Sequence, residues 1–528
     1  MTADVVLLAG RVRTMDPQRP DAQGLAWRAG RLVAVGTRDD VLAWRGPRTR
    51  VVEAPDAVAL PGFHDAHLHL TQHGLELDQV ALQDAATMAE GLERVAAAAA
   101  RQPEGAWILG AGFALQRWGR TGLDRRDLDR VAPRHPVLLC SQDHHSAWAN
   151  SLALSLAAVD RSTPDPASGT VVRDADGDPS GLLLELAVEL VRSAAPLPAA
   201  AELARALDAA GRDLASLGIT TVHHMAAEPA AYWRALASSA SRAEGAPYPL
   251  RVWACIPHAE LEHAAAIGLA GGHGGARFEV GGAKFFADGA LGSRTAWMLE
   301  PYPDGTFGMA VDGPEVLRER YALAARAGFA PVTHAIGDAA NRAAIEALEA
   351  TAELWRAAGM RPRIEHAQHL HEDDLGRLAA LGAVASVQPI HLGFDAPSVR
   401  ALLPDRARRA YRLRDLLDRG VPLAFGSDTP VASPDVFAGL RAAVARQGVD
   451  GEPLEAGQAL TVDEALRAYT AGAAYAIGRE GRSGVLRPGA DADVVVLDHD
   501  PVAGLADLAV LATVLDGAFT FERADLAP

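Results

Sequence analysis

Apolar positions along the chain fall into short runs that end at a Gly, Pro or polar break. In the middle of the chain each run is followed by a stretch of helical periodicity. Eight such runs cover 58–69, 219–225, 250–257, 280–287, 329–334, 363–366, 383–389 and 421–427. Alanine-rich segments with helical spacing separate the later ones, at 315–327, 339–358 and 372–381. Alternation of this kind predicts parallel strands joined by crossover helices. Eight repeats predict a closed (β/α)8 TIM barrel, an α/β fold. The run 363–366 is the weakest of the set.

The two ends have a different texture. Val5-Val6-Leu7-Leu8 precedes Ala9-Gly10, and two further runs flank the hairpin signal Arg28-Ala29-Gly30. Near the other end, Ala492 to Leu497 and Ala512 to Leu515 are again short β-type runs. The simplest arrangement is one small β-sandwich domain made from both termini, 1–58 with 484–528, around a barrel spanning 59–483. The gap between the first and second barrel runs is too long for one crossover. Residues 71–200 carry their own helix at 87–101, strands near Trp107-Ile108-Leu109 and Val137-Leu138-Leu139-Cys140, and a Pro/Asp/Gly-rich loop at 162–179. They predict an insertion domain after the first barrel strand, in a loop of the mouth where barrel active sites are built.

Composition narrows the functional classes. The 528 residues are 49% hydrophobic and 22% charged, enough to bury a large core. A formal charge of −17 argues against nucleic acid or an anionic membrane as partner, because no basic excess exists to neutralise phosphates. The arginines of 406–414 read as a solvated helix face. Cys140 and Cys255 are the only cysteines and form no C-x-x-C pair, which fits a reducing cytoplasm. The apolar run 5–9 is short and is followed by Arg11, so neither a secretory signal nor a membrane span is expected.

The chemistry sits where the barrel runs end. The first carries Pro61-Gly62-Phe63-His64-Asp65-Ala66-His67-Leu68-His69. Side chains two apart in extended backbone point the same way, so His67 and His69 can face one ligand. The fourth run carries Lys284, the fifth ends in His334, the sixth in His366 and the eighth in Ser427-Asp428. Each has a plain alternative: a satisfied core histidine, a lysine that snorkels, an aspartate that caps the next helix. Their joint occurrence points to a metal, since burying so many polar groups without one is costly. His64 reads as a first-turn or surface histidine, and His223 and His224 end the second run without being assigned as ligands.

These residues lie in motifs that resemble the amidohydrolase superfamily: PGFHDAHLHL at 61–70, KFFADGALGSRTA at 284–296, HAIGDAA at 334–340, EHAQ at 365–368 and GSDTP at 426–430. LDRVAPRHPVLL at 128–139, HSAWANSLAL at 145–154 and PGADADVVVLD at 488–498 extend the resemblance over nearly the whole chain, to the branch of YtcJ-like and N-substituted formamide deformylase-like metal-dependent hydrolases. The resemblance implies one or two divalent ions, Zn2+ first. His67, His69 and Asp428 would hold one ion and His334 and His366 the other, with Lys284 carboxylated on its amine and bridging them. Asp428 would also be the catalytic base and acid.

The reaction so implied is hydrolysis of a non-peptide amide in a small molecule, such as an N-substituted formamide or N-acyl amine. The alternatives are a cyclic amide, ester or lactone hydrolase, or a barrel kept as a non-catalytic scaffold. Trp118, His145 and Arg294 would either border the substrate or serve structure alone, Trp118 by packing and Arg294 by bracing its loop; His144 departs from the family pattern, which commonly has Gly before the following His. A homodimer is left open.

Overall fold

Eight parallel strands follow one another around a barrel in chain order: Phe63–Leu68, Ile219–His224, Arg251–Pro257, Phe278–Phe286, Pro331–Ala335, Arg363–His366, Val384–Val387 and Leu423–Phe425. In this computed structural model, residues 1–115, 118–120, 122–141, 146–166, 169–226, 229–242 and 246–526 are described. Most strands are buried along their whole length, which is why they read as continuous apolar runs and not as alternating ones. The last strand is three residues long, and its continuation meets the first strand at the mouth. Asp428 N donates to His67 O over 2.7 Å, and His69 N donates to Thr429 O over 2.8 Å.

The crossover helices start and stop where their ends dictate. Pro314–Arg326 begins on a proline, whose missing N–H would be unpaired there in any case. Glu372–Leu381 is capped by His371, carries Glu372, Asp373 and Asp374 in its first turn, and ends at Gly382 in the left-handed region.

The chain divides into two units, Met1–Leu70 with Ala210–Pro528, and Thr71–Ala209. The first holds the barrel and a seven-stranded sheet drawn from both ends. In that sheet Arg50–Pro61 lies between Val5–Arg13, which it parallels, and Val494–Leu497, which it opposes. Leu7, Trp27, Val52, Val494 and Val514 form its core. The run 58–69 is therefore two strands. Val58 to Pro61 pair with the C-terminal strand, and the barrel strand starts at Phe63. The Pro61-Gly62 break is where the chain changes sheet. A side chain at Gly62 would collide with Thr220, so only glycine fits.

The second unit has a six-stranded sheet ordered Gly169–Arg173, Pro179–Glu185, Ser146–Ala149, Val137–Ser141, Ile108–Phe113, Val80–Ala81. Val95, Phe113, Leu128 and Trp148 fill one apolar cluster, and Leu138, Leu154, Leu183 and Val188 another. Among the described residues no helix is long and apolar enough to cross a membrane.

Two arginines of 406–414 depart from the solvated face expected of the run. Arg409 is buried and its Nη1 lies 2.8 Å from Asp338, while Arg412 pairs with Asp415 at 2.6 Å and Glu372 at 3.4 Å. Charge runs look alike in sequence whether their partners are water or carboxylates from distant loops.

Candidate metal centre

The first strand delivers His67, and His69 follows its last residue directly. Both Nε2 atoms stand 3.3 Å from the same oxygen, Asp428 Oδ1. Donors about 2.0–2.1 Å from a zinc-type ion at tetrahedral angles stand roughly 3.3–3.4 Å apart, so this spacing suits a shared cation. The other ring nitrogen of His67, Nδ1, lies 2.6 Å from Glu365 Oε2. With that N–H given to a carboxylate, the neutral ring keeps its lone pair on Nε2, facing Asp428 and His69.

Glu365 is fully buried. Burial raises its carboxyl, but the guanidinium of Arg363 and the His67 hydrogen bond outweigh that and hold it at about 2. Arg363, also buried, bonds Glu365 Oε1 at 2.9 Å, Ser386 Oγ at 2.9 Å, Ala66 O at 2.6 Å and His223 Nδ1 at 2.9 Å. One cation thus ties four strands of the barrel beneath the cluster.

Two backbone features aim the eighth strand's end. Asp65 accepts from His67 N at 3.1 Å, from Ser427 N at 3.0 Å and from Ser427 Oγ. A Cβ on Gly426 would lie 2.4 Å from His67 N, so the motif's glycine lets the first and eighth strands close. Asp428 then takes φ of 64° and His366 φ of 69°, left-handed conformations costly for non-glycine residues and characteristic of functional sites.

His366 and His334 complete the mouth, their ring centroids 4.5 Å apart, with His67 and His366 at 5.0 Å. His334 Nε2 lies 3.1 Å from Gly289 O and donates to it, leaving Nδ1 with the lone pair. Burial, helped by Lys284, lowers His334 to about 3, and burial with His334 lowers His366 well below its usual value, so both rings stay neutral. His366 Nδ1 is buried and has no hydrogen-bond partner. Burial raises the Asp428 carboxyl, but the imidazoles of His67, His69 and His366 overcome it and hold the group well below the carboxylate range.

Lys284 does not snorkel. It is 1% exposed, its Nζ lies 5.2 Å from the Phe286 ring, and no carboxylate among the described residues pairs with it. Burial depresses its pKa, with Glu365 and Asp428 opposing. Asp428 does not cap a helix either, since Asp435 caps Val436–Ala445.

Arg294 pairs with Asp304 at 2.7 Å within its own loop, half exposed. Trp118 packs with Phe113 and Trp148 in the second unit and donates Nε1–H to Ala85 O. His145 lies outside the described residues. His64, expected in a first turn or at the surface, is instead wholly buried, with Nε2 2.7 Å from Ser483 Oγ. Glu365 and His391 were missed by sequence reasoning. Glu365 stands beside His366 in the EHAQ motif. His391 follows the seventh run by two residues, and its Nε2 comes 3.8 Å from Asp428 Oδ2. Looking two residues past each run's end would have found it.

The orphaned Nδ1 of His366 and the mixed imidazole–carboxylate set fit a divalent ion of zinc type.

A parallel barrel with such a cluster at its strand ends is the architecture of a metal-dependent hydrolytic enzyme. The chain belongs to the amidohydrolase family, whose profile matches residues 50–521. It is 34% identical to the putative amidohydrolase YtcJ of Bacillus subtilis (strain 168), over 90% of this chain and 91% of that one. It is 30% identical to N-substituted formamide deformylase of Arthrobacter pascens, over 98% of both. Among solved structures, an uncharacterized metal-dependent hydrolase from Pyrococcus horikoshii OT3 superposes with a TM-score of 0.77 at 27% identity, covering 94% of this chain and 98% of that one. The protein is a hydrolytic enzyme of amide-type bonds, and family and donor set together support a divalent metal.

Proposed function

We propose that the protein hydrolyses a non-peptide amide of a small molecule, an N-substituted formamide or N-acyl amine, with one or two Zn2+ ions and with Asp428 as base and acid. The observation that carries this reading is the single oxygen, Asp428 Oδ1, 3.3 Å from both His67 Nε2 and His69 Nε2. His67, His69 and Asp428 would hold one ion and His334 and His366 a second, with Lys284, carboxylated on its amine, shared by both. The substrate class is supported by the similarity to the Arthrobacter pascens deformylase.

A bound divalent ion supplies Lewis acidity, acidifying water and polarising an acyl oxygen. The chain's own residues do the rest. Asp428 Oδ2, the oxygen turned away from the histidine pair, takes a proton from water as the new C–O bond forms. It returns that proton to the nitrogen as the C–N bond breaks, so amide and water become an acid and an amine. Glu365 keeps the His67 tautomer fixed throughout. The buried amine of Lys284, whose pKa burial lowers, is suited to add carbon dioxide. An N–C bond forms, one N–H proton leaves to solvent, and the resulting carbamate is an anionic oxygen ligand, which an ammonium is not.

The test is metal content by plasma emission on native protein and on His67→Ala, Lys284→Ala and Asp428→Asn, with a screen of formamides, N-acyl amines, cyclic amides and esters. Metal in the native chain, lost in His67→Ala, with formamide or N-acyl amine turnover abolished in Asp428→Asn, is the expected result. A native chain that binds no ion under metal-replete conditions would sink the reading. Turnover of esters or cyclic amides alone would move the substrate class.

A further inference from the structure

The seventh barrel strand, which carries no expected ligand, is followed by the turn Pro389–His391. His391 is buried, 6% exposed, and its Nε2 faces two oxygens, Ser427 O at 3.2 Å and Asp428 Oδ2 at 3.8 Å. Both are acceptors, so Nε2 is the protonated nitrogen of the ring. The helix that follows, Leu392–Leu402, is anchored one turn later, where Asp395 Oδ2 accepts from Tyr411 Oη at 2.6 Å and Gln368 Nε2 at 2.8 Å.

The two oxygens of Asp428 therefore have different neighbours. Oδ1 faces the His67 and His69 nitrogens, and Oδ2 faces His391. His391 donates to the carbonyl directly before Asp428 and stands 3.8 Å from Oδ2, close but beyond a hydrogen bond. The left-handed backbone of Asp428 persists because its surroundings hold it, and the bond from His391 to the preceding carbonyl is one such hold.

We propose that His391 is a positioning residue of the hydrolytic site: its Nε2–H, donated to Ser427 O, holds the backbone that carries Asp428, so that Oδ1 points at the cation position and Oδ2 at the reacting water and nitrogen. The kinetic part of this rests on the hydrolase reading above, and the metal geometry does not. A competing role exists on the same atoms, because donors of His366, His391 and Asp428 lie within 4.8 Å of one another and would also suit a ligand.

Cobalt(II) is the probe that separates these roles, through its visible d–d bands. The full chain would be loaded with cobalt as native protein, His391→Ala, His391→Gln and His391→Phe. Glutamine places an N–H near Nε2, while phenylalanine keeps ring volume without a donor and stands in should the alanine variant unfold. The expected result is native cobalt stoichiometry in all variants. The bands shift in His391→Ala and His391→Phe and return in His391→Gln.

On any acyl substrate that the native enzyme turns over, kcat falls about 10- to 100-fold in the donorless variants at nearly constant KM and is partly rescued by glutamine. Loss of cobalt in a folded variant overturns the proposal in favour of a ligand. An unchanged spectrum and kcat without the donor overturn it in favour of packing. A native protein that turns over no acyl substrate, yet shows the band shift and its rescue, defeats the hydrolase reading while His391 keeps its place.

Discussion

His67 Nδ1 and Glu365 Oε2 lie 2.6 Å apart although 298 positions separate them in the chain. The first and sixth strands are brought together by closure of the barrel, and the contact decides which nitrogen of His67 is free to meet a metal. Glu365 is held in turn by Arg363, so the tautomer of one histidine depends on a fully buried ion pair.

Removing that carboxylate has two effects. Glu365→Gln preserves an acceptor for His67 but not the charge, and metal affinity is expected to fall about 10- to 100-fold. Glu365→Ala also strands the Arg363 guanidinium in the barrel, at about 3–5 kcal/mol of stability. Competition with a chelator measures the first effect and urea unfolding of metal-free protein the second. Native affinity in Glu365→Gln would show that His67 is oriented by its packing alone.

Gly426→Ala tests the closure itself. Its methyl group would sit 2.4 Å from His67 N and 2.8 Å from Asp65 Oδ1, both rigidly held. The expected cost is about 1–3 kcal/mol from overpacking, accompanied by reduced metal content because His67 is displaced. Full metal content at native stability would contradict the close approach.

Lys284 gives a prediction independent of turnover. With 13C-labelled bicarbonate at neutral pH, one protein-bound carbamate carbon signal is expected. It should be absent in Lys284→Ala and lost reversibly on mild acidification. A spectrum of native protein without that signal, taken on metal-loaded samples, would leave the lysine as an amine.

His334 links the site to pH. Its folded pKa, lowered to about 3, lies below the unfolded value near 6.5, so the unfolded chain binds the extra proton between them. The contribution of the neutral ring is complete above that unfolded value and is lost as pH falls toward 3. Between pH 7.5 and 5.0, metal-free native protein should lose about 2 kcal/mol more than His334→Gln, read from urea unfolding. Equal losses would mean that the ring protonates in the fold as it does in solution.

Much of the architecture was legible because barrel strands are buried on both faces, which makes them continuous apolar runs, and because crossover helices keep a separate period. The histidines and Asp428 were legible for a related reason. They end those runs, and in a parallel barrel the run ends converge. Local pattern alone was enough for the eight-strand alternation, the residues at each strand end and their placement in motifs that resemble amidohydrolases.

Tertiary structure decided what no local pattern encodes. It separated 58–61 from the barrel strand, because sheet membership depends on the partner Val494–Leu497 more than four hundred residues away. It turned Arg409 and Arg412 inward toward carboxylates and buried His64 against Ser483. It chose Glu365 as the partner of His67 and set His391 before Asp428, since hydrogen bonds and ion pairs act over a few ångströms in space whatever the distance along the chain.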